Sequence, residues 1–331
     1  MIPNQWYVIL SSREVKHNKL IGVMRMGEKL IAWRNSSGSV AVFRDKCPHR
    51  GIQLSKGAIL NDHLQCPFHG FEYATDGSCK LIPANGKATP VPGHIRASAF
   101  PVQEQNGFIY IFWSPVTADE SPVPVKTEIP WFDDLDDSLL MSGMTDYWKA
   151  HYSRVIENQL DVVHVPFIHR TTIGRGIGPV VNGPFTVVHE NGVSFWPQNE
   201  KDHGQTPLRS DQMKDKPNKD TYISFLFPNL WENHIMDKLR VVVAFAPVDE
   251  DNTILYLHIY QKMVTIPGLS HLFFWMTKLY NRIILHQDRR VVETHQPQAT
   301  SLKMDENLIS GDLPVVQYRK RREELKRESV G

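Results

Sequence analysis

The sequence contains two short segments of the same kind, Cys47-Pro48-His49-Arg50-Gly51 and Cys66-Pro67-Phe68-His69-Gly70. The first has the pattern Cys-x-His and the second Cys-x-x-His, so each segment supplies one thiol and one imidazole. Both also contain Pro and Gly, which predict a tight loop, because Pro fixes its φ angle and Gly adopts backbone angles that other residues rarely reach. Two matched loops so close together in the chain predict a single site with four ligands.

These four side chains are the set that a Rieske [2Fe–2S] centre requires, with Cys47 and Cys66 on one iron and His49 and His69 on the other. Neutral imidazoles in place of two thiolates reduce the negative charge of the cluster, which raises its reduction potential. A structural zinc site is the alternative, since zinc also accepts two Cys and two His. Zinc fingers usually pair Cys with Cys and His with His. Each loop here offers one of each, so the spacing favours the iron–sulfur centre.

The loops resemble those of the Rieske family. Respiratory members of that family carry a further Cys in each loop, and the two are joined as a disulfide. Ile52 and Phe68 stand at the matching positions of this chain, so the resemblance implies that this bridge is absent. The resemblance is therefore to the branch that contains Rieske ferredoxins and ring-hydroxylating oxygenases.

The composition is that of an ordinary globular protein. With 331 residues, 41% of them hydrophobic and 22% charged, the chain is long enough for two domains. A net charge of +1 indicates no nucleic-acid partner. Three cysteines, of which Cys79 has no obvious partner, exclude a disulfide framework and favour a reducing, cytoplasmic location. We recognise no signal peptide in residues 1–10, and no run is apolar enough to predict a membrane span.

Residues 1–115 predict a small all-β domain. Short apolar runs are separated by turn signals, and the turn Asn106-Gly107 opens the strongest predicted strand, Phe108–Trp113. A proline-rich stretch predicts a linker over residues 116–130. A bare Rieske ferredoxin would end near residue 100, so residues 131–331 predict a second domain with a function of its own.

The sequence of the second domain predicts an antiparallel sheet with helices, so the whole chain is expected to be α+β. Helical spacing over 145–163 is followed by Pro166, which predicts a helix end near Val163 or His164. Further helices are predicted at about 268–296 and 313–327, the second with the charge density of a solvated helix. The stretch Val264–Leu285 predicts an amphipathic helix, for which a core-facing position is favoured and a membrane-surface role is the alternative.

One short segment of the second domain concentrates metal-binding side chains. Asn158, Asp161 and His164 recur every three residues and would share a helix face, and His169 follows the break at Pro166. Two imidazoles and a carboxylate on one side of Fe(II) leave the opposite positions open for O₂ and substrate. An Asp three residues before a His favours a metal-bound His, because such a His usually donates its second N–H to a carboxylate.

This segment resembles the Asp-x-x-His-x-x-x-x-His signature of Rieske non-haem iron oxygenases, which hydroxylate or demethylate aromatic compounds. The resemblance implies a helix-grip, START-like catalytic domain in which His164 and His169 bind a mononuclear Fe(II). It also implies that Asp161 carries electrons from a Rieske His of a neighbouring subunit. The chain looks like the single-subunit class that includes vanillate O-demethylase, dicamba monooxygenase and phthalate dioxygenase, which implies a head-to-tail homotrimer.

The third iron ligand should be a distant carboxylate. The candidates are Asp237, Asp249, Asp288 and Glu293. Asp288 is favoured, because a carboxylate on the inner side of an apolar helix is costly unless it is paired or metal-bound. The late motif of the family, an acidic pair followed five residues on by Glu, matches Asp288 and Glu293 but departs at Gln287, where Glu is common. A surface Asp paired with Arg is the alternative.

The resemblance implies the terminal oxygenase of a multicomponent system. A separate reductase or ferredoxin, supplied by NAD(P)H, would donate electrons, since no Gly-x-Gly-x-x-Gly fingerprint follows a predicted strand. O₂ would be the co-substrate, and a small, largely apolar molecule would be hydroxylated or demethylated. A tailoring hydroxylase for an alkaloid, steroid or other natural product is the second reading. A Rieske electron-transfer protein with an inactive second domain is the non-enzymatic one.

Overall fold

The computed structural model describes residues 1–114, 125, 128–217 and 220–329. The chain divides into two compact units. The first consists of Pro3–Glu128 with Pro247–Asp249, and the second of Ile129–Ala246 with the chain from Glu250 onward. Most of the predicted linker 116–130 lies outside the described residues, and the predicted domain division stays a prediction.

The first unit is built from short strands arranged in three sheets, with the orders β1-β10-β9, β2-β3-β4 and β5-β6-β7-β8. The turn between β9 and β10 has positive φ at Asn106 and Gly107, as the sequence predicts. The strands are β1 Gln5–Ser11, β2 Lys19–Arg25, β3 Glu28–Arg34, β4 Val40–Arg44, β5 Ala58–Leu60, β6 His63–Gln65, β7 Glu72–Tyr73, β8 Cys79–Leu81, β9 Val102–Gln105 and β10 Phe108–Trp113.

Strand β3 separates two hydrophobic cores of the first unit. Its side chains alternate between them, because successive residues of a strand point to opposite faces. Leu30 and Ala32 pack with side chains of β1 and β10. Ile31 and Trp33 pack in the core that also contains Cys47 and Cys66. The loops that carry the predicted cluster ligands are thereby attached to a packed core.

The second unit contains a seven-stranded antiparallel sheet with the order β11-β19-β18-β17-β16-β14-β13. A separate two-stranded sheet pairs β12 with β15. The predicted α+β fold, with an all-β first part followed by an antiparallel sheet with helices, is confirmed. The strands are β11 Leu140–Trp148, β12 Val180–Val181, β13 Phe185–His189, β14 Gly192–Trp196, β15 Asn199–Glu200, β16 Tyr222–Leu226, β17 Leu230–Met236, β18 Leu239–Pro247 and β19 Thr253–Gln261.

Four helices complete the described part of the second unit: α1 Tyr152–Leu160, α2 Val165–Ile168, α3 Leu269–Val292 and α4 Leu313–Glu328. The predicted helix over 145–163 is wrong at both ends. Its first residues belong to β11, an edge strand, and α1 ends at Leu160 because Asp161 has an extended backbone. Asp161 and His164 therefore do not share a helix face.

The two C-terminal helices also differ from expectation. Helix α4 is not simply solvated, because the side chains of Arg319 and Arg322 are almost fully buried. Tyr318 of the same helix packs against Phe225 and Phe227 beside the sheet. Helix α3 is not core-facing over its whole length, since many of its large apolar side chains are exposed. No helix among the described residues is long and apolar enough to cross a membrane.

Candidate metal centres

The two Cys/His segments fold into loops with the same backbone hydrogen bonds. The amide of each cysteine donates to the carbonyl oxygen five residues further on, Cys47 to Ile52 and Cys66 to Phe71, at 2.8 Å in both loops. The glycine that ends each segment donates back to the cysteine carbonyl oxygen, at 2.9 and 3.1 Å, and has a positive φ. The loops are alike although the His lies one residue further along in the second.

In these two Cys/His loops, which we together call the tip of the first unit, the thiols are buried and the imidazoles are exposed. Cys47 and Cys66 are buried, whereas His49 and His69 are exposed, with their ring centroids 4.8 Å apart. Burial raises the pKa of the Cys66 thiol, and the neighbouring Cys47 raises it further. A pair of buried thiolates is stable only beside positive charge. The donor set therefore fits a metal cluster with its sulfur ligands inside and its nitrogen ligands at the surface.

Tyr73 supports the sulfur side of this tip. Its hydroxyl lies 3.1 Å from the Sγ atom of Cys47. Burial raises the pKa of Tyr73, so the phenol stays protonated and can donate to a thiolate. Hydrogen bonds to the sulfurs are among the interactions that set the potential of an iron–sulfur cluster.

A second group of ligand atoms lies in the other unit. His164, His169 and Asp288 each direct one ligand atom to a common point, and these atoms all lie within 4.8 Å of one another. The Nε2 atoms of the two imidazoles are 3.5 and 2.9 Å from Oδ1 of Asp288. Asp288 is buried on α3, and the His169 side chain is almost fully covered. Two imidazoles and one carboxylate on one side of a point form the facial set that suits non-haem Fe(II).

A break between two helices brings the imidazoles together. After α1 ends, the Oδ1 atom of Asp161 accepts from the backbone N–H groups of Val163 and His164, at 2.5 and 3.3 Å. Such a side-chain turn competes with continuation of a helix. Pro166 then lies in the first turn of α2, where its missing N–H is harmless. His164 and His169 flank this single short turn, so both reach the same point.

The outer nitrogen of each imidazole faces a side-chain oxygen. His164 Nδ1 lies 3.5 Å from Oδ2 of Asp161, and His169 Nδ1 lies 2.9 Å from Oε1 of Gln287. The hydroxyl of Thr172 donates to the same Gln287 oxygen at 2.7 Å. Because an amide oxygen only accepts, His169 carries a proton on Nδ1 and turns Nε2 toward Asp288. A ligating His typically has such an outer acceptor.

The electrostatics of this group also fit a cation. Burial disfavours protonated His164, but Asp161 and Asp288 outweigh it and raise its pKa to about 9. Burial likewise opposes ionised Asp288, yet the two imidazoles hold its pKa at about 2. In neutral His169, the lone pair on Nε2 would face a carboxylate oxygen at 2.9 Å. That contact needs either a second proton on the ring or a metal ion between the two atoms.

Gly174 allows the chain to close behind His169. Its N–H donates to the carbonyl oxygen of His169 at 2.9 Å. A Cβ atom at position 174 would lie 2.2 Å from the carbonyl oxygen of Val165 and 2.9 Å from that of His169. Only a glycine fits this close approach, which fixes the turn that carries the second imidazole.

A buried ionic network anchors α1, the helix that leads into this site. Arg319 of α4 binds Glu157 of α1 in a bidentate manner, at 2.8 and 2.7 Å. Arg154 and Arg319 both bind Glu306 at 2.8 Å. Bidentate guanidinium–carboxylate pairs fix geometry as well as charge. The sequence predicts a solvated α4, and nothing in it distinguishes Arg319 from its many basic neighbours.

The other candidate acids lie elsewhere. The Asp237 side chain is 84% exposed and lies near His234. Glu293 accepts from the backbone N–H of Lys149 at 2.8 Å, and Asp249 falls in the first compact unit. Of the four candidates, Asp288 alone joins the two imidazoles among the described residues. Sequence reasoning missed Gln287 as a partner of His169; its position beside Asp288 in the late motif was the available signal.

Together, the fold and these sites define a Rieske-type oxygenase, a class of oxidoreductase. Residues 5–99 match the Rieske [2Fe-2S] domain. Residues 148–328, more than half of the chain, match the vanillate O-demethylase oxygenase C-terminal domain, and the chain belongs to this family.

Comparison with known proteins gives the same class. The chain is 27% identical over 337 residues to the methylxanthine N1-demethylase NdmA of Pseudomonas putida, which covers 97% of this chain and 88% of that protein. It is 27% identical over 175 residues to the chloroplastic chlorophyllide a oxygenase of Arabidopsis thaliana, covering 53% of this chain but only 30% of that longer protein. The crystal structure of dicamba monooxygenase bound to dicamba has the same fold, with a TM-score of 0.74 at 20% identity, covering 100% and 99% of the two chains.

Proposed function

We propose that this chain is the terminal oxygenase of a multicomponent Rieske system that hydroxylates or demethylates a small aromatic or other largely apolar organic substrate. The division would be a cluster-binding domain (1–115), a linker (116–130) and a catalytic domain (131–331). The observation that carries the proposal is the convergence of His164, His169 and Asp288 in a chain that also has the paired Cys/His loops. A simple electron carrier has no use for a buried three-ligand site.

In this proposal Cys47, Cys66, His49 and His69 hold one [2Fe–2S] cluster. When bound, the cluster supplies one-electron transfer at a higher potential than an all-Cys cluster. The buried thiols anchor the group to the core, while the exposed imidazoles form the surface at which electrons pass. Zinc in the same loops would give neither redox activity nor colour.

His164, His169 and Asp288 would hold the mononuclear iron. Fe(II) at this site would supply the activation of O₂. The protein holds the two rings with Asp161 and Gln287 and keeps Asp288 ionised in a buried position. Three ligands on one side of the iron would leave its opposite positions free for O₂ and substrate.

Asp161 would carry electrons between subunits of a head-to-tail homotrimer. Its Oδ2 atom faces His164 at 3.5 Å, and its side chain is 30% exposed, so a group from outside can reach it. An imidazole N–H of His49 or His69 from a neighbouring copy could donate to this carboxylate. Asp161 would then join the two metal sites through hydrogen bonds and one ligand ring.

A separate reductase or ferredoxin would deliver the electrons from NAD(P)H. Support comes from the sequence, which contains no Gly-x-Gly-x-x-Gly motif. Substrates named for relatives, such as methylxanthines and dicamba, are small aromatic molecules and fit the aromatic part of this proposal. An alkaloid, a steroid or another natural product is the alternative substrate.

The decisive test is the Asp288→Ala variant. We expect iron to fall from about three to about two atoms per chain, with the visible spectrum of the cluster unchanged and product formation lost. Asp237→Ala removes an exposed carboxylate of the same unit and should retain all the iron. Equal iron in the Asp288 variant and the wild type would exclude the site. Wild type with two irons and no oxygenated product from any substrate would instead favour the pure electron carrier.

A further inference from the structure

Helix α3 leaves a wide apolar face uncovered. Phe274, Leu285 and Val292 are buried along one side of the helix. Seven large apolar side chains on the other side have between 39% and 59% of their surface exposed, namely Leu269, Leu272, Trp275, Met276, Leu279, Tyr280 and Ile283. We call these seven residues the α3 stripe. Contiguous apolar surface of this kind marks an interaction site in a folded protein.

The spacing shows that the α3 stripe is continuous. Residues 272, 276, 279 and 283 are separated by four, three and four positions, so they lie on one line along the helix. Before the helix begins, Met263 and Ile266 are 48% and 62% exposed, which adds apolar surface at its N-terminal end. The sequence favoured a core position for this segment, and that expectation is wrong for this side of the helix.

The charged side chains of the helix segment that carries the α3 stripe have one sign. No Asp or Glu occurs from Val264 to Gln287. The basic residues of the helix in this span are His271, Lys278, Arg282 and His286. They are spaced seven, four and four apart, so they follow one edge of the stripe. An apolar face bordered by basic residues is typical of helices that lie in the interface of a membrane. Trp and Tyr, both present in the stripe, are enriched at that depth.

We propose that α3 docks on the surface of an anionic lipid bilayer. The α3 stripe would lie at the boundary between the headgroups and the acyl chains, and the basic edge against lipid phosphates. The charge pattern favours lipid over a second copy of the same face. An antiparallel two-fold contact would bring two basic edges together with no acidic residue of either helix segment between them. Docking would bring the catalytic unit to the phase into which largely apolar substrates partition. That consequence rests on the proposed function, whereas the docking does not.

The test is flotation of the purified full chain with vesicles. One set contains phosphatidylcholine with phosphatidylglycerol, and the other phosphatidylcholine alone. We expect binding to the anionic vesicles that weakens with salt. Arg282→Gln should lower the affinity about fivefold, the effect of one basic charge near the surface. Trp275→Ser combined with Ile283→Ser should lower it more than roughly tenfold, because two apolar anchors are lost.

Two matched controls change the same chemistry elsewhere in the second unit. Leu208→Ser removes an apolar side chain that is 50% exposed, and Lys303→Gln removes an exposed charge. Both should float like the wild type. Circular dichroism and the cluster spectrum establish that each variant is folded, independently of oxygenase activity.

Three results would overturn the proposal. The wild type could fail to float with either vesicle, or all variants could float equally. Alternatively, sedimentation velocity without lipid could show that the Trp275→Ser/Ile283→Ser protein dissociates while the controls do not. That outcome would assign the α3 stripe to a contact between copies of the chain.

Discussion

The two candidate metal sites hold their imidazoles by opposite means. At the tip of the first unit, backbone hydrogen bonds shape both loops, and His49 and His69 project from them at the surface. In the second unit the imidazoles are largely covered, and side-chain oxygens fix each ring. The tip therefore depends on its loops and sulfurs. The second site depends on residues that are not themselves ligands, so its sensitivity to substitution extends further from the metal.

The sharpest test of the tip compares two buried cysteines. Cys66→Ser should abolish the visible absorption of the cluster, since a serine hydroxyl stays protonated where a thiolate is needed. Cys79→Ser is the matched control, because Cys79 is also buried in the same core but only donates to the carbonyl oxygen of Leu81. Iron at the second site should remain in both variants. Loss of colour in both, or in neither, contradicts the ligand assignment.

The difference between the sites also explains what the sequence could predict. The ligands of the tip lie close together in the sequence, in two short segments whose Pro and Gly predict the loops. The alternation of β3 and the turn at Asn106-Gly107 are equally local signals. Each could be interpreted without knowing any distant contact.

The residues of the second site are far apart in the sequence and meet only in the folded chain. The side chain of Asp161 ends α1 by accepting backbone N–H groups, and the apolar spacing around it still looks helical. The sequence predicts that Pro166 ends one helix, whereas it lies in the first turn of the next. The burial of Asp288 and the pairing of Gln287 with His169 depend on where α3 packs. Periodicity along the chain does not contain that information.

The next largest effect we expect is the loss of turnover on substitution of Asp161. Asp161→Asn keeps an oxygen for the turn but loses the charge that faces His164. We expect both metals to be retained, with turnover lowered about 10- to 100-fold, the usual cost of changing a partner of a metal ligand. Single-turnover kinetics with a pre-reduced cluster measures the step directly. Wild-type oxidation of the cluster in this variant, or full activity of strictly monomeric protein, would leave Asp161 with a structural role alone.

Replacing Gln287 should change the Fe(II) affinity of the second site more than the rate of electron transfer. Gln287→Leu removes the acceptor of His169 Nδ1, so the ring loses its fixed orientation. We expect Fe(II) affinity of the second site to fall by roughly tenfold, with the cluster spectrum and potential unchanged. Anaerobic titration of iron-depleted protein measures this affinity. Gln287→Glu restores an acceptor and should restore binding. If Leu and Glu give equal affinities, the contact at 2.9 Å does not position the ring.

The smallest effect we expect is that of Tyr73→Phe on the reduction potential of the cluster. It tests whether a side chain that is not a ligand affects the tip, as such side chains do at the second site. The phenol lies 3.1 Å from Cys47 Sγ and is held protonated by burial, which raises its pKa. Its hydrogen bond stabilises the reduced cluster more than the oxidised one, because reduction adds negative charge to the sulfurs. Tyr73→Phe keeps the ring in the core. The loss of one hydrogen bond of about 1 kcal/mol corresponds to a fall of roughly 40 mV in a one-electron potential. Redox titration followed by visible absorption measures the change. An unaltered or higher potential would show that the backbone and the cysteines alone set the properties of the tip.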